Sequence, residues 1–152
     1  MIDGTVLLVE DNQDDVDLTL HCFKNNKISN KIDVVRDGAQ ALDYLFGKTA
    51  DTERGPHDLP ILILLDLKLP KVGGLEVLQR IRADPRTKRL PVVVLTSSKE
   101  EEDRGSSYDK GVNSYLCKPV DLDQFNEAIH QLGLYWLLLN LPPPRLAQKI
   151  GT

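Results

Sequence analysis

Apolar positions fall into five short runs, each followed by a stretch where they recur at helical spacing. Thr5-Val6-Leu7-Leu8-Val9 is the first run, and Val16, Leu20 and Phe23 mark the helix after it. Residues 31–36 carry Ile32, Val34 and Val35; Asp37 then serves as N-cap for a helix presenting Ala41, Leu42, Leu45 and Phe46. Ile61-Leu62-Ile63-Leu64-Leu65 has no polar alternation, the pattern of a strand covered on both faces, and Leu75, Leu78 and Ile81 follow it. Pro91-Val92-Val93-Val94-Leu95-Thr96 is a second buried strand; Ser98 with Glu101 makes an S-x-x-E capping box for the next helix. That helix runs toward Lys110 with Tyr108 as its one large apolar residue, so thin anchoring is expected. Residues 112–117 form the fifth strand, and Leu122, Phe125, Ile129 and Leu132 mark an amphipathic helix starting near Asp121. Residues 47–60, rich in Gly, Pro, Thr and charge, read as a long surface loop.

Strand–helix alternation of this kind implies a doubly wound α/β fold: a flavodoxin-like (βα)5 parallel sheet with right-handed crossovers, strand order 2-1-3-4-5 and an extended C-terminal helix. In such sheets ligands bind outside the carboxyl ends of the strands, where the strand order reverses. Glu10 and Asp11 close the first strand, Asp66 the third and Thr96 the fourth, while Lys118 follows the fifth. All can converge there. Clustered carboxylates repel unless a cation neutralises them, and an oxygen-only donor set without His or Cys points to Mg²⁺. A carboxylate flanked by a divalent cation, an ammonium and a hydroxyl suits phosphoryl transfer, and Asp66, ending the central strand, is the expected acceptor.

Length and charge narrow the function further. A chain of 152 residues is the size of one domain, and 41% apolar with 28% charged residues is ordinary for a folded soluble protein. A net charge of −4 argues against nucleic acid as a partner. The N-terminus lacks a signal-peptide pattern, and the longest apolar stretch, residues 134–139, is too short to span a bilayer. A cytoplasmic protein without membrane attachment is expected. Cys22 and Cys117 have no metal or redox spacing and read as reduced packing residues. His21, His57 and His130 are scattered and read as surface or packing residues. Asp14 and Asp15 read as partners of the first helix dipole only.

Four motifs in order, Val9-Glu10-Asp11-Asn12, Leu65-Asp66-Leu67-Lys68-Leu69-Pro70 with Gly74, Val94-Leu95-Thr96-Ser97-Ser98 and Tyr115-Leu116-Cys117-Lys118-Pro119, resemble the receiver domain of two-component response regulators. The resemblance covers about residues 5–133, which places the receiver at residues 1–133 and a helix extension and tail at 134–152. It implies Asp66 as phosphoacceptor. It further implies Mg²⁺ held by Asp11, Asp66, the main-chain carbonyl of Lys68 and, through water, Glu10. Thr96 and Lys118 would contact the phosphoryl oxygens, with Thr96 and Tyr115 as the switch pair. Lys68 and Ser98 would flank the approach of water and set the lifetime of the aspartyl phosphate. By the same pattern the Lys118-Pro119 bond would be cis.

The start Glu10-Asp11-Asn12 with Asp14-Asp15, the loop over 47–60 and the ending Tyr135-Trp136-Leu137-Leu138-Leu139-Asn140-Leu141-Pro142 resemble stand-alone regulators paired with phytochrome histidine kinases. A sensor histidine kinase is then the expected partner, and the signal passes by protein contact. Gly73-Gly74 departs from the usual Asp-Gly and is expected to loosen the turn after Pro70. Residues 134–141 are apolar on every helical face, which favours a homodimer through this segment over a tail folded back on its own domain. The competing enzyme reading is an aspartate-nucleophile phosphohydrolase, which also uses Asp, Mg²⁺, Thr and Lys. That class carries an acid two residues after the nucleophile, where this chain has Lys68. A flavin- or nucleotide-binding domain fits less well, because no Gly-rich loop follows the first strand.

Overall fold

Runs of Val and Leu without a polar face must be buried on both sides of a sheet. The computed structural model, which describes residues 4–47, 59–97, 100–118 and 121–144, meets that demand. Five parallel strands, β1 (Val6–Val9), β2 (Ile32–Val35), β3 (Leu62–Leu65), β4 (Val92–Thr96) and β5 (Ser114–Cys117), lie in the order β2-β1-β3-β4-β5, as expected. Helices α1 (Gln13–Asn25), α2 (Gly38–Phe46), α3 (Gly74–Ala83), α4 (Glu101–Asp109) and α5 (Leu122–Leu132) connect and follow them.

Alternate strand residues serve opposite faces, as the two-residue period requires. Val6, Leu8, Leu62, Leu64, Val93 and Leu95 pack under Val16 and Phe23 of α1 and Phe125 and Ile129 of α5. Leu7, Val9, Ile63, Leu65, Val92 and Val94 pack under Ala41 and Leu45 of α2 and Val77, Leu78 and Ile81 of α3. Among the described residues no apolar core residue comes from α4; Tyr108 is 53% exposed, and the thin anchoring expected of that helix is what the fold shows.

Three helices begin on side-chain caps. Asn12 accepts from the Asp15 amide, Asp37 from Gln40 and Asp121 from Gln124. Asp37 is the cap expected, and Asp121 stands where the last helix was expected to start. Ser98 of the expected capping box and residues 48–58 of the long loop lie outside the described residues, as do Pro119 of the expected cis bond and the tail from 145.

The C-terminal segment corrects one expectation in part. α5 runs on without a break into α6 (Gly133–Leu139), wound as a π-helix, with the Asn140 amide on the Tyr135 carbonyl at 2.6 Å. Leu137 is fully buried in the α1–α5 core and Trp136 packs against it, so part of the segment does fold back. Tyr135, Leu138, Leu139 and Leu141 remain more than half exposed. Cys22 is buried, but Cys117 is exposed, so the packing role holds for Cys22 alone.

Candidate functional site

The parallel register continues one residue past the strand ends. The Glu10 amide bonds the Val35 carbonyl at 3.0 Å, the Asp66 amide the Val9 carbonyl at 3.1 Å, and the Lys118 amide the Thr96 carbonyl at 2.7 Å. Those bonds set Glu10, Asp66, Thr96 and Lys118 along one edge of the sheet. The β3–α3 turn closes against it: the Gly74 amide donates to the Leu67 carbonyl at 3.1 Å. A Cβ on Gly74 would overlap the Asp66 carbonyl oxygen and stand 2.7 Å from Leu67 Cα, so only glycine allows α3 to start this close.

Asp66 is the centre of the resulting pocket, 6% exposed. Its Oδ1 accepts from the Thr96 hydroxyl at 2.8 Å and from the Lys68 amide at 3.2 Å. Its Oδ2 lies 3.1 Å from Lys118 Nζ, which also contacts Glu10 Oε1 and, at 2.9 Å, Asp15 Oδ2. Glu10 Oε2 accepts from the Asn12 amide at 3.3 Å. Carboxylate oxygens of Glu10, Asp11 and Asp66 all lie within 4.8 Å of one another, Asp11 being the exposed member.

Burial and charge set the protonation of the group. Burial pushes the Glu10 carboxyl up to about 7; Lys118 opposes the rise and the Asp66 charge adds to it. Burial also works against the Asp66 carboxylate, but the Lys118 charge and the hydrogen bonds from Glu10, Thr96 and Lys118 outweigh it and hold Asp66 below the usual carboxylate range. Lys118 is desolvated, yet its hydrogen bonds to Asp15 and Glu10 and the charge of Asp66 lift its pKa above the usual lysine range. At neutral pH Asp66 is therefore ionised, and Glu10 is the member of the pair that takes up a proton.

Hard oxygen donors without His or Cys fit a hard divalent cation, and these three carboxylates are placed to hold one. Such an ion would neutralise charge gathered at Asp66.

Residues 6–130 match the response regulator receiver domain model. The chain belongs to this family. Among receiver relatives, the probable methanogenesis regulatory protein FilR2 of Methanothrix harundinacea is 41% identical over 91% of this chain and 86% of its own length. Response regulator Rcp1 of a Synechocystis strain is 40% identical, over 87% of this chain and 88% of itself. The solved structure of the phosphorylated cyanobacterial phytochrome response regulator RcpA superposes with a TM-score of 0.86 at 38% identity, covering 94% of this chain and all of that one. A Mn²⁺-bound form of Rcp1 superposes at 0.84 with 37% identity, over 93% of this chain and 99% of that one, and its cation agrees with the donor set found here. Receiver domains are phosphorylation-dependent signalling modules rather than enzymes acting on separate substrates.

Of the residues expected at the receiver site, Ser98 lies outside the described residues and the others have a definite place. Glu10, Asp11, Asp66, Thr96 and Lys118 come together. Lys68 meets Asp66 through its amide, while its ammonium lies 3.4 Å from Asp103 on α4. Tyr115 is half-buried against the α2–α3 side of the core. Asp15 departs from the expected dipole role by reaching Lys118. Asn12-x-x-Asp15 is readable as a capping pattern, but a contact spanning 103 positions of sequence is not.

Proposed function

We propose that this chain is a phosphorylation switch in which Asp66 accepts a phosphoryl group from a sensor histidine kinase. The carrying observation is a buried carboxylate bonded by the Thr96 hydroxyl and the Lys118 ammonium beside the Glu10–Asp11 pair. Asp66 is the nucleophile. Thr96 and Lys118 bind the transferring oxygens; Asp11, Asp66, the Lys68 carbonyl and, through water, Glu10 would hold Mg²⁺, which would supply charge neutralisation when bound. Thr96 then moves toward the acquired group, and Tyr115 follows as the second half of the switch. The only chemistry catalysed is the chain's own phosphorylation and dephosphorylation.

The kinase is of the phytochrome class, a reading supported by the likeness to RcpA. Signalling runs through protein contacts of a receiver body, residues 1–133, and an extension, 134–152. The exposed apolar residues Tyr135, Leu138, Leu139 and Leu141 form a homodimer surface. Among the described residues no helix is long and apolar enough to cross a membrane. The net charge of −4 speaks against nucleic acid as a partner, and the chain works in the cytoplasm, a reading supported by its receiver family, without a membrane partner.

The test is phosphotransfer from a radiolabelled phytochrome-type kinase. Label should pass to the wild type and not to Asp66→Asn. Failure of transfer from such kinases, with acetyl phosphate still labelling Asp66, would reject the phytochrome assignment and keep the switch.

A further inference from the structure

Lys118 has more carboxylate partners than phosphoryl transfer to Asp66 requires. Its ammonium contacts Glu10, lies 3.1 Å from Asp66 Oδ2 and lies 2.9 Å from Asp15 Oδ2. Glu10 and Asp66 belong to the oxygen set suited to a divalent cation, so ammonium and cation draw on the same atoms. Asp15 stands outside that set. It is also held in place by its backbone: the amide donates to the Asn12 side chain at 3.0 Å, and the carbonyl accepts from the Thr19 hydroxyl at 2.7 Å. The Lys118 side chain is only 8% exposed, so water is a poor substitute for a lost partner.

We infer that Asp15 is a positioning residue that anchors the Lys118 ammonium beside Asp66 while a cation occupies the oxygens of Glu10 and Asp66. The inference rests on the proposed phosphoacceptor role of Asp66. When the cation claims Glu10 and Asp66, Asp15 remains as the partner that keeps the ammonium within reach of an incoming phosphoryl oxygen. With Asp15 neutralised, the ammonium has only oxygens the cation needs, and the two positive charges compete directly.

The experiment uses the full chain and Asp15→Asn and Asp15→Glu variants, each alone and combined with Lys118→Met. In Mg²⁺-saturated protein, the ¹⁵N resonance of the Lys118 ammonium should be resolved in wild type, lost or exchange-broadened in Asp15→Asn and recovered in Asp15→Glu. Mg²⁺ affinity by calorimetry should fall roughly two- to fivefold in Asp15→Asn, the range for losing a partly exposed charged partner, and be restored in Asp15→Glu. In the Lys118→Met background Asp15→Asn should leave Mg²⁺ affinity unchanged. An equal fall in that background would show that Asp15 acts on the cation as bulk charge, and an unaltered ammonium resonance in Asp15→Asn would show no anchoring; either overturns the inference. Should Lys118→Met fail to melt cooperatively, the ammonium resonance and its recovery in Asp15→Glu decide alone. Labelling of wild-type Asp66 by acetyl phosphate is measured separately, so failure of the phosphoacceptor reading is distinguishable from failure of the anchor.

Discussion

The Thr96 hydroxyl donates a 2.8 Å hydrogen bond to Asp66 Oδ1 from the adjacent strand, and both residues are buried. A group added to Asp66 must therefore displace or recruit Thr96, which couples the end of β4 to the state of the carboxylate. Thr96→Ala removes the shorter of these bonds to Oδ1 and leaves the 3.2 Å bond from the Lys68 amide. Unfolding in urea should show a loss of about 1–3 kcal/mol for Thr96→Ala, with Thr96→Ser retaining most of the stability. The change in the Tyr115 ring resonances on phosphorylation should shrink in Thr96→Ala and persist in Thr96→Ser.

Two adjacent glycines should behave oppositely. A Cβ at Gly74 meets the Asp66 and Leu67 backbone, whereas Gly73 has open space and caps α3 without a side-chain bond. Gly74→Ala should cost about 1–3 kcal/mol, and Gly73→Asp should gain about 0.2–0.4 kcal/mol by supplying the missing cap. Denaturation midpoints check both, and a Gly73→Asp variant less stable than wild type would contradict the capping account.

Much of this was legible in the sequence, for definite reasons. The runs at β1, β3 and β4 have no polar alternation, so a doubly covered parallel sheet was the natural home for them, and its topology brought Glu10, Asp66, Thr96 and Lys118 to one edge. Cys117 was misread because its exposure depends on β5 being an edge strand whose last residue lies uncovered. Leu137 was not separable from Leu138 and Leu139, since an all-apolar helix carries no periodicity to say which face is buried, and π-helical winding shifts that face further. Asp15 escaped because first-turn acids are ordinarily explained by the helix dipole, and its ion pair with Lys118 is tertiary.

Acidity at the metal-free site should be visible in stability. Glu10 rises from 4.5 to about 7 on folding, through burial foremost, so between those values the folded chain binds more protons than the unfolded one. The contribution is fully present below 4.5 and is lost as pH rises through about 7. Melting in chelator over that window should show stability declining for wild type relative to Glu10→Gln, which has no proton to lose. A parallel pH dependence for the two proteins would contradict the assignment.

Leu137 and Leu139 separate the two roles of α6. Leu137 is fully buried and Leu139 is 68% exposed. Leu137→Ala should cost about 2–5 kcal/mol of stability, and Leu139→Ala should stay within about 0.5 kcal/mol. Sedimentation of the phosphorylated protein should show a dimer that Leu139→Ala weakens. A clean monomer with and without phosphorylation would remove the dimer proposal.

The most direct measurement is intact-protein mass after incubation with acetyl phosphate and Mg²⁺, comparing wild type with Asp66→Asn and with wild type in chelator. The proposed switch predicts a single added phosphoryl group on wild type, absent in Asp66→Asn and absent without the cation. A phosphoryl group retained by Asp66→Asn, or none on wild type even with a phosphorylated kinase as donor, would contradict it.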